Sequence, residues 1–361
     1  MAKDIKYWVT LSTNLAIGAK TLKHLDNSFE NMEEVWSASN EKFFNLGINT
    51  KIVKIIDEIK RNKNPDDEFK KIERLGIKAI TYKDSNYPKL LREIPDCPAL
   101  LYYKGDVFKE DNLAISVVGS RKYTPYGLRA VEKIVGPLSE SGLTIVSGLA
   151  LGIDSIAHKV ALKNGRTVAV LGNGLDRVYP ESNRGLANDI VKSGGAVISE
   201  FPVGTPSFKQ NFPFRNRIIA GLSLGTLVIE AAVKSGSLIT ASAALEYNRE
   251  VFAIPGSIFN ESSEGPINLI KMGAKCVSSA EDVLGELNIE SKIQVHHAKN
   301  IIPDTKEEAE ILGLIKDKPV HVDKFAESSR LDIVKINQTL VLMEMKGKIK
   351  NIGRNQYIII K

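Results

Sequence analysis

The spacing of apolar residues changes character twice along the chain. Over residues 1–60 it is helical: Ile5, Trp8, Val9 and Leu15 in one stretch, Ile52, Ile55, Ile56 and Ile59 in another, which predicts short helices. Leu46-Gly47-Ile48 precedes the second stretch, and a helix–hairpin–helix turn needs glycine there because one residue must tolerate positive φ. Small helical domains of other kinds contain such turns too. Arg61–Glu68, with Asn64-Pro65-Asp66-Asp67 inside it, is charged and broken by proline, so it reads as a linker.

From about Phe69 to Leu287 the pattern is short β-branched runs, each followed by an amphipathic stretch. The runs are Ala114–Val118, Thr144–Val146, Thr167–Leu171, Ala196–Ser199, Thr226–Ile229, Val251–Ile254 and Lys275–Val277. Helices are expected at Pro125–Glu140, Ile153–Lys163, Asn183–Lys192, Arg215–Leu222 and Leu238–Asn248. Apolar strands alternating with helices predict an α/β fold: an extended, Rossmann-like, doubly wound parallel sheet buried on both faces. Ala79–Tyr82 and Ala99–Tyr103 read as two further strands extending it.

Residues 288–304 lack periodicity and read as a second linker. Beyond them, helices are expected at Lys306–Ile315, Val322–Glu327 and Ile333–Glu344, then strands at Lys348–Ile352 and Tyr357–Ile360. Three helices and a β-hairpin make the winged helix pattern, with a plain three-helix cap as the alternative. The expected domains are therefore a small helical one at 1–65, the α/β domain at 69–290 and the winged helix domain at 305–361.

Composition narrows the classes. Of 361 residues, 43% are hydrophobic and 25% charged, which excludes wholesale disorder. The longest uncharged stretches have 13 residues, short of the roughly 18–20 a spanning helix needs. The amino-terminal Met-Ala-Lys-Asp-Ile-Lys-Tyr lacks the apolar core of a secretory signal, so a cytoplasmic protein is expected. Cys97 and Cys276 have no metal-ligand spacing, and the histidines are isolated apart from His296–His297 in the second linker, so no metal site is expected. Net charge is +6, unevenly spread: residues 1–110 carry 19 basic against 17 acidic, 111–290 carry 17 against 17, and 291–361 carry 13 against 9. An anion site in the neutral middle must then come from local clustering.

In a parallel sheet, ligands bind beyond the carboxyl ends of the strands, and the glycine-rich loops fall there. Val117-Val118-Gly119-Ser120-Arg121 follows the first core strand, with close backbone approach allowed by Gly119 and Ser120 and a fork of donors on Arg121. Ser147-Gly148-Leu149-Ala150-Leu151-Gly152-Ile153-Asp154 follows the second, and Leu171-Gly172-Asn173-Gly174-Leu175-Asp176 the third. The dinucleotide fingerprint fails, because Gly172 and Gly174 follow the wrong strand and Arg177 stands where a third glycine belongs. No Gly-Lys-Ser/Thr occurs, so there is no Walker phosphate loop. The densest positive cluster is Lys209-Gln210-Asn211-Phe212-Pro213-Phe214-Arg215-Asn216-Arg217. Basic and aromatic residues interleaved in this way suit single-stranded nucleic acid, cations for phosphates and rings for bases; a solvated basic helix start with both phenylalanines in the core is the alternative. Asp154, Glu200 and Glu230 lie near strand ends, where capping a helix or pairing with Arg217 explains them as well as catalysis does. Ser147, Ser199 and Ser237 have no His–Asp partners and no nucleophile elbow.

Taken in order, these motifs resemble the DprA/Smf family of bacterial DNA-processing proteins. The resemblance rests on Val117–Arg121, Ser147–Asp154, Leu171–Asp176, Tyr179-Pro180, Ser199-Glu200, Phe212–Ser223, Ser235–Ala241 and Ala253-Ile254-Pro255-Gly256, with Tyr82–Pro88 and Tyr103–Asp106 as lead-in. It implies a recombination mediator that binds incoming single-stranded DNA during natural transformation, works alongside single-strand-binding protein, loads RecA and acts as a homodimer. It implies no catalytic activity and no cofactor. The positions it assigns to DNA binding are Gly119, Ser120, Arg121, Gly148, Gly152, Lys209, Arg215, Asn216 and Arg217, with Lys122 and Arg184 added for charge and motif order. The dimer face would include Leu238, Leu245, Ile258, Leu269 and Ile270. A rival resemblance is to the nucleotide phosphoribohydrolases, through Gly221–Glu230, but Leu222 and Ser223 replace their paired glycines and Glu230 is one position displaced. A winged helix regulator with a ligand-sensing α/β domain is the third reading.

Overall fold

The computed structural model describes residues 4–106, 113–289, 303–315, 320–329, 331–346, 348–351, 353 and 355–359. The chain divides into two compact units, residues 1–282 and 283–361.

The first unit opens with six helices, α1 (Ile5–Ser12), α2 (Ala19–Ser28), α3 (Met32–Ser37), α4 (Asn40–Asn45), α5 (Thr50–Asn62) and α6 (Pro65–Arg74). Between α4 and α5, Gly47 takes φ +71°, the left-handed turn its position requires. The linker expected at Arg61–Glu68 is instead the junction of two helices. Asn64 caps α6 by accepting from the Asp66 and Asp67 amides, Pro65 occupies the first turn, and Asp66, Asp67 and Glu68 lie at its positive end. Proline and acidic residues that read as a break are a helix start. The helical residues share a core with the sheet: the Trp8 and Tyr82 rings meet edge to face at 6.3 Å, and Ser12 and Tyr102 hydroxyls are hydrogen-bonded at 2.6 Å.

A nine-stranded sheet follows, in the order β1-β2-β6-β5-β4-β3-β7-β8-β9. Its strands are β1 (Lys78–Thr81), β2 (Leu100–Gly105), β3 (Ala114–Val118), β4 (Thr144–Ser147), β5 (Thr167–Val170), β6 (Ala196–Ser199), β7 (Gly225–Val228), β8 (Glu250–Ala253) and β9 (Lys275–Cys276). From β6 to β9 every pairing is parallel; β2 joins β6 antiparallel and β1 joins β2 antiparallel. Alternate residues of one strand enter different cores, Val197 one and Ile198 the other, as a sheet covered on both faces demands. The short α7 (Lys89–Arg92) precedes β2, and the covering helices are α8 (Pro125–Glu140), α9 (Ile153–Asn164), α10 (Arg184–Lys192), α11 (Asn211–Gly221), α12 (Ser237–Glu246) and α13 (Glu261–Lys271). Helix α11 begins at Asn211, four residues before the expected start at Arg215, because Pro213 in its first turn has no intrahelical amide to lose.

Helix α14 (Ala280–Glu286) spans the division between the units. The expected second linker lies mostly at 290–302, outside the described residues. The second unit holds α15 (Lys306–Leu314), β10 (Val320–His321), α16 (Val322–Ser328), α17 (Ile333–Met345), β11 (Ile349–Asn351) and β12 (Gln356–Ile359), with strand order β10-β12-β11. This is a winged helix, its hairpin joined by a third short strand. Glu308, 2% exposed, is held by Lys346 and Lys348, which ties α15 to the end of α17 and the start of the wing.

Candidate nucleic-acid interface

The chain leaves β3 for β4 on one side and returns to β7 on the other, so β3/β7 is the switch point where α/β proteins usually bind ligands. Here that crevice is filled. Glu230, 1% exposed, accepts from the Thr124 amide at 2.9 Å, from the Thr124 hydroxyl and from Ser262 Oγ at 3.3 Å. A Cβ on Gly127 would lie 2.3 Å from Glu230 Oε2. The carboxylate occupies the amino end of α8, where an incoming phosphate would have to sit.

The open hollow lies one step over, above the carboxyl ends of β3, β4 and β5. It is lined by Arg121, Gly148, Ala150, Leu151, Gly172, Tyr179, Pro180, Phe212 and Arg215. Two glycines allow the close packing around it. Gly152, with φ +84°, brings the loop before α9 so close to the loop after β3 that a Cβ would lie 2.2 Å from the Ser120 carbonyl oxygen; the Ile153 amide donates to that same oxygen at 3.1 Å. Gly148 lies against the Arg215 guanidinium, 2.5 Å from where its Cβ would be.

Arg215 is a buried strut rather than a free cation. It is 5% exposed, donates to the Gly148 carbonyl at 2.7 Å and to the Val170 carbonyl, and sits beside buried Asp154, which accepts from the Gly148 amide at 3.1 Å. Burial pushes the guanidinium down to about 10, with Arg121 repelling it from the hollow side, and burial also raises the Asp154 carboxyl. Arg121 itself is exposed, stacked over Phe212 at 5.7 Å, and Phe212 lies 5.6 Å from Tyr179. Ser120 Oγ bonds the backbone of Lys122 in both directions, shaping the loop; Lys122 and Lys209 are exposed.

Arg217 is not in this hollow. Two residues along a helix point to different sides, and Arg217 turns toward Glu200 and the Asp96 segment: it pairs with Glu200 Oε2, donates to the Asp96 carbonyl at 2.7 Å and stacks on Phe214 at 5.3 Å. Asn216 donates to the Gly236 carbonyl, and Arg184 is paired with Glu181 on the surface. The three acidic residues weighed as catalysts are all engaged: Asp154 beside Arg215, Glu200 on Arg217, Glu230 on Thr124. Of the proposed dimer positions, Leu245 and Ile258 are 54% and 77% exposed, Leu238 and Leu269 pack partly on the core, and Ile270 is half-buried. Tyr179, Phe212 and Gly172 join the hollow without having been assigned to it; the Tyr-Pro and interleaved aromatic motifs were the signal. Among the described residues no helix is long and apolar enough to cross a membrane.

Fold and hollow define a class: a Rossmann-like α/β protein with a basic, aromatic-rimmed hollow and an appended winged helix. Comparison with known proteins narrows it. A family model for DNA recombination-mediator protein A matches residues 78–288, and one for the DprA winged helix domain matches residues 296–352. The chain belongs to this DprA/Smf family. Protein Smf of Synechocystis is 39% identical over 83% of this chain and 77% of its own. DNA processing protein DprA of Streptococcus pneumoniae is 48% identical over 61% of this chain and 76% of its own. Among solved structures, the X-ray structure of the Streptococcus pneumoniae protein superposes with a TM-score of 0.66 at 39% identity, covering 78% of this chain and 96% of that one. A structure of DNA processing protein A from Helicobacter pylori, described for its single-stranded DNA binding mode, gives 0.53 at 30% identity over 59% of this chain and 95% of that one.

Proposed function

We propose that the chain binds single-stranded DNA in the hollow over β3, β4 and β5 and serves recombination by holding the strand, not by reacting with it. The observation that carries this reading is the stack of an exposed guanidinium, Arg121, on Phe212 with Tyr179 alongside. It pairs a cation for phosphate with rings for unpaired bases, on a floor of glycines that lets a backbone approach. Gly148 and Gly172 line that floor, Gly119, Ser120 and Gly152 pack the loops behind it, Lys122 and Lys209 extend the positive rim, and Arg215 with Asn216 holds the wall. Arg217 contributes by anchoring α11, while Arg184, paired with Glu181, lies outside the hollow. The single-stranded DNA binding mode described for the Helicobacter pylori relative supports the same ligand.

In this reading the protein is a cytoplasmic homodimer that protects incoming DNA in natural transformation, meets single-strand-binding protein and loads RecA. Leu245 and Ile258, with Leu238, Leu269 and Ile270 behind, would build the dimer face. Exposed Ile239, Phe259 and Met272 support a self-association surface in the same part of the chain. Two hollows on one strand would raise avidity by roughly 10² to 10⁴. The test is fluorescence anisotropy of equal-length single-stranded and duplex oligonucleotides across a salt series. Preference for the single strand, with a log–log slope of about 0.7 per phosphate, is expected; equal weak binding to both would refute the reading.

A further inference from the structure

A second and larger space lies on the other flank of α11. It has a volume of about 700 Å³ and is walled by the loop before α2 and the start of α2, by Pro95–Leu100, and by the first turns of α11 with Glu200–Pro202. That volume lies in the range of small-molecule sites. Its walls are mostly apolar, with Leu15, Pro95, Pro98 and Phe201 among them. At its rim stands Phe214, 62% exposed although apolar and stacked on one face by Arg217. At its other end are Lys20 and the amino end of α2, where Gly18 supplies no side-chain cap.

Helix α11 thus carries a guanidinium-on-phenyl pair on each side of its first turn: Arg121 on Phe212 toward the hollow, Arg217 on Phe214 toward this cavity. The two pairs differ in charge. Arg121 has no acidic partner among the described residues, whereas Arg217 is neutralised by Glu200 and Asp96. The first side suits a phosphate; the second, apolar and locally neutral with an exposed ring, suits an uncharged flat ring.

We propose that the cavity is a base-accepting subsite for the strand held in the neighbouring hollow. A nucleotide next to those at Arg121 crosses the first turn of α11 and lays its base on Phe214, with the base edge in the apolar space. Lys20 and the α2 amino end supply positive potential for the flanking phosphate. The inference rests on the single-strand reading above, and it makes the amino-terminal helices part of the nucleic-acid site.

The experiment uses the full chain and two ten-nucleotide strands, oligo-dT and a fully abasic strand of the same length, at one salt concentration and then across a series. Phe214→Ala is expected to weaken oligo-dT binding about tenfold, the loss of one stacked base, and to leave abasic-strand affinity and the salt slope unchanged. Ala16→Trp, a bulky substitution at an exposed residue of the cavity lining, is expected to do the same. Unchanged oligo-dT affinity in both variants, or equal losses on both strands, would overturn the subsite. Arg121→Ala separates the two levels: if it weakens both strands while the cavity variants do nothing, the hollow binds DNA and the subsite is wrong. If wild-type protein binds neither strand, the single-strand reading itself fails.

Discussion

The sharpest consequence of the geometry is that two arginines to which the sequence gives the same DNA-binding role should behave differently when removed. Arg121→Ala deletes an exposed guanidinium that is stacked on Phe212 and has no acidic partner among the described residues. A hydrogen bond to a charged group is worth about 1.5–3 kcal/mol, so at low salt the variant should lose roughly tenfold or more in single-strand affinity. One phosphate contact is also worth about 0.7 in the log–log salt slope. Between 50 and 200 mM salt, a fourfold change, the ratio of wild-type to variant affinity should therefore shrink about 2.6-fold. Folding should be untouched. Arg217→Ala does the reverse: it strands Glu200, whose carboxyl burial raises to about 7 against the pull of Arg217. Breaking a buried pair costs about 3–5 kcal/mol, so the melting temperature should fall by several degrees while the salt slope per folded molecule stays at the wild-type value. Anisotropy titrations at four salt concentrations, paired with thermal melts, read both quantities. A reduced slope for Arg217→Ala with an unchanged one for Arg121→Ala would refute the assignment of the hollow.

His158 is fully buried, and its imidazole is held down to about 3 by burial, with Arg215 nearby adding to the effect. Because the Thr167 hydroxyl donates to the Ile145 carbonyl, His158 Nδ1 must be the donor to Thr167, and the ring is neutral. Its folded value lies below the unfolded one, so its contribution is present above about pH 6.5 and is lost as pH falls. Between pH 7.5 and 5 the wild type should lose about 2 kcal/mol more stability to urea unfolding than His158→Gln does, Glu200 acting in the opposite direction in both; equal pH dependence in both proteins would refute it. Gly152→Ala forces a Cβ into the Ser120 carbonyl at φ +84°, so it should cost at least about 1–3 kcal/mol of strain and weaken single-strand binding by shifting the Arg121 loop; a melt and titration identical to wild type would contradict the close approach. Leu245→Glu with Ile258→Glu should abolish any dimer seen by sedimentation and lower affinity for long strands more than for short ones, whereas an unchanged sedimentation coefficient would remove that face from the interface.

Much of the architecture was legible because it follows from local pattern. The six core strands β3–β8 were readable as short β-branched runs, since a strand covered on both faces has no polar alternation to obscure it. Helix α8 was readable to the residue, Pro125–Glu140. The linker at Arg61–Glu68 was misread for a local reason as well: Asn, Pro and Asp serve loops and helix starts alike, and only the packing of α6 onto the amino-terminal core decides between them.

The hollow was legible in its parts but not in its assembly. The sequence by itself determined which loops end at the carboxyl edge of the sheet, that they are rich in glycine, and that Lys209–Arg217 interleaves cations with aromatic rings. It assigned Arg215 and Arg217 alike to the DNA site, without separating the sides of α11 on which they lie. Only the tertiary structure decided which of them meets Arg121, because that depends on strand order: placing β4 and β5 beside β3 brings Gly148 and Val170 onto Arg215, while the segment before β2 brings Asp96 to Arg217. It decided likewise that Glu230 fills the β3/β7 crevice, since its partners Thr124 and Ser262 lie 106 and 32 residues away. Periodicity records which face of an element is buried; which charges meet across elements is a matter of long-range register, and no local pattern encodes it.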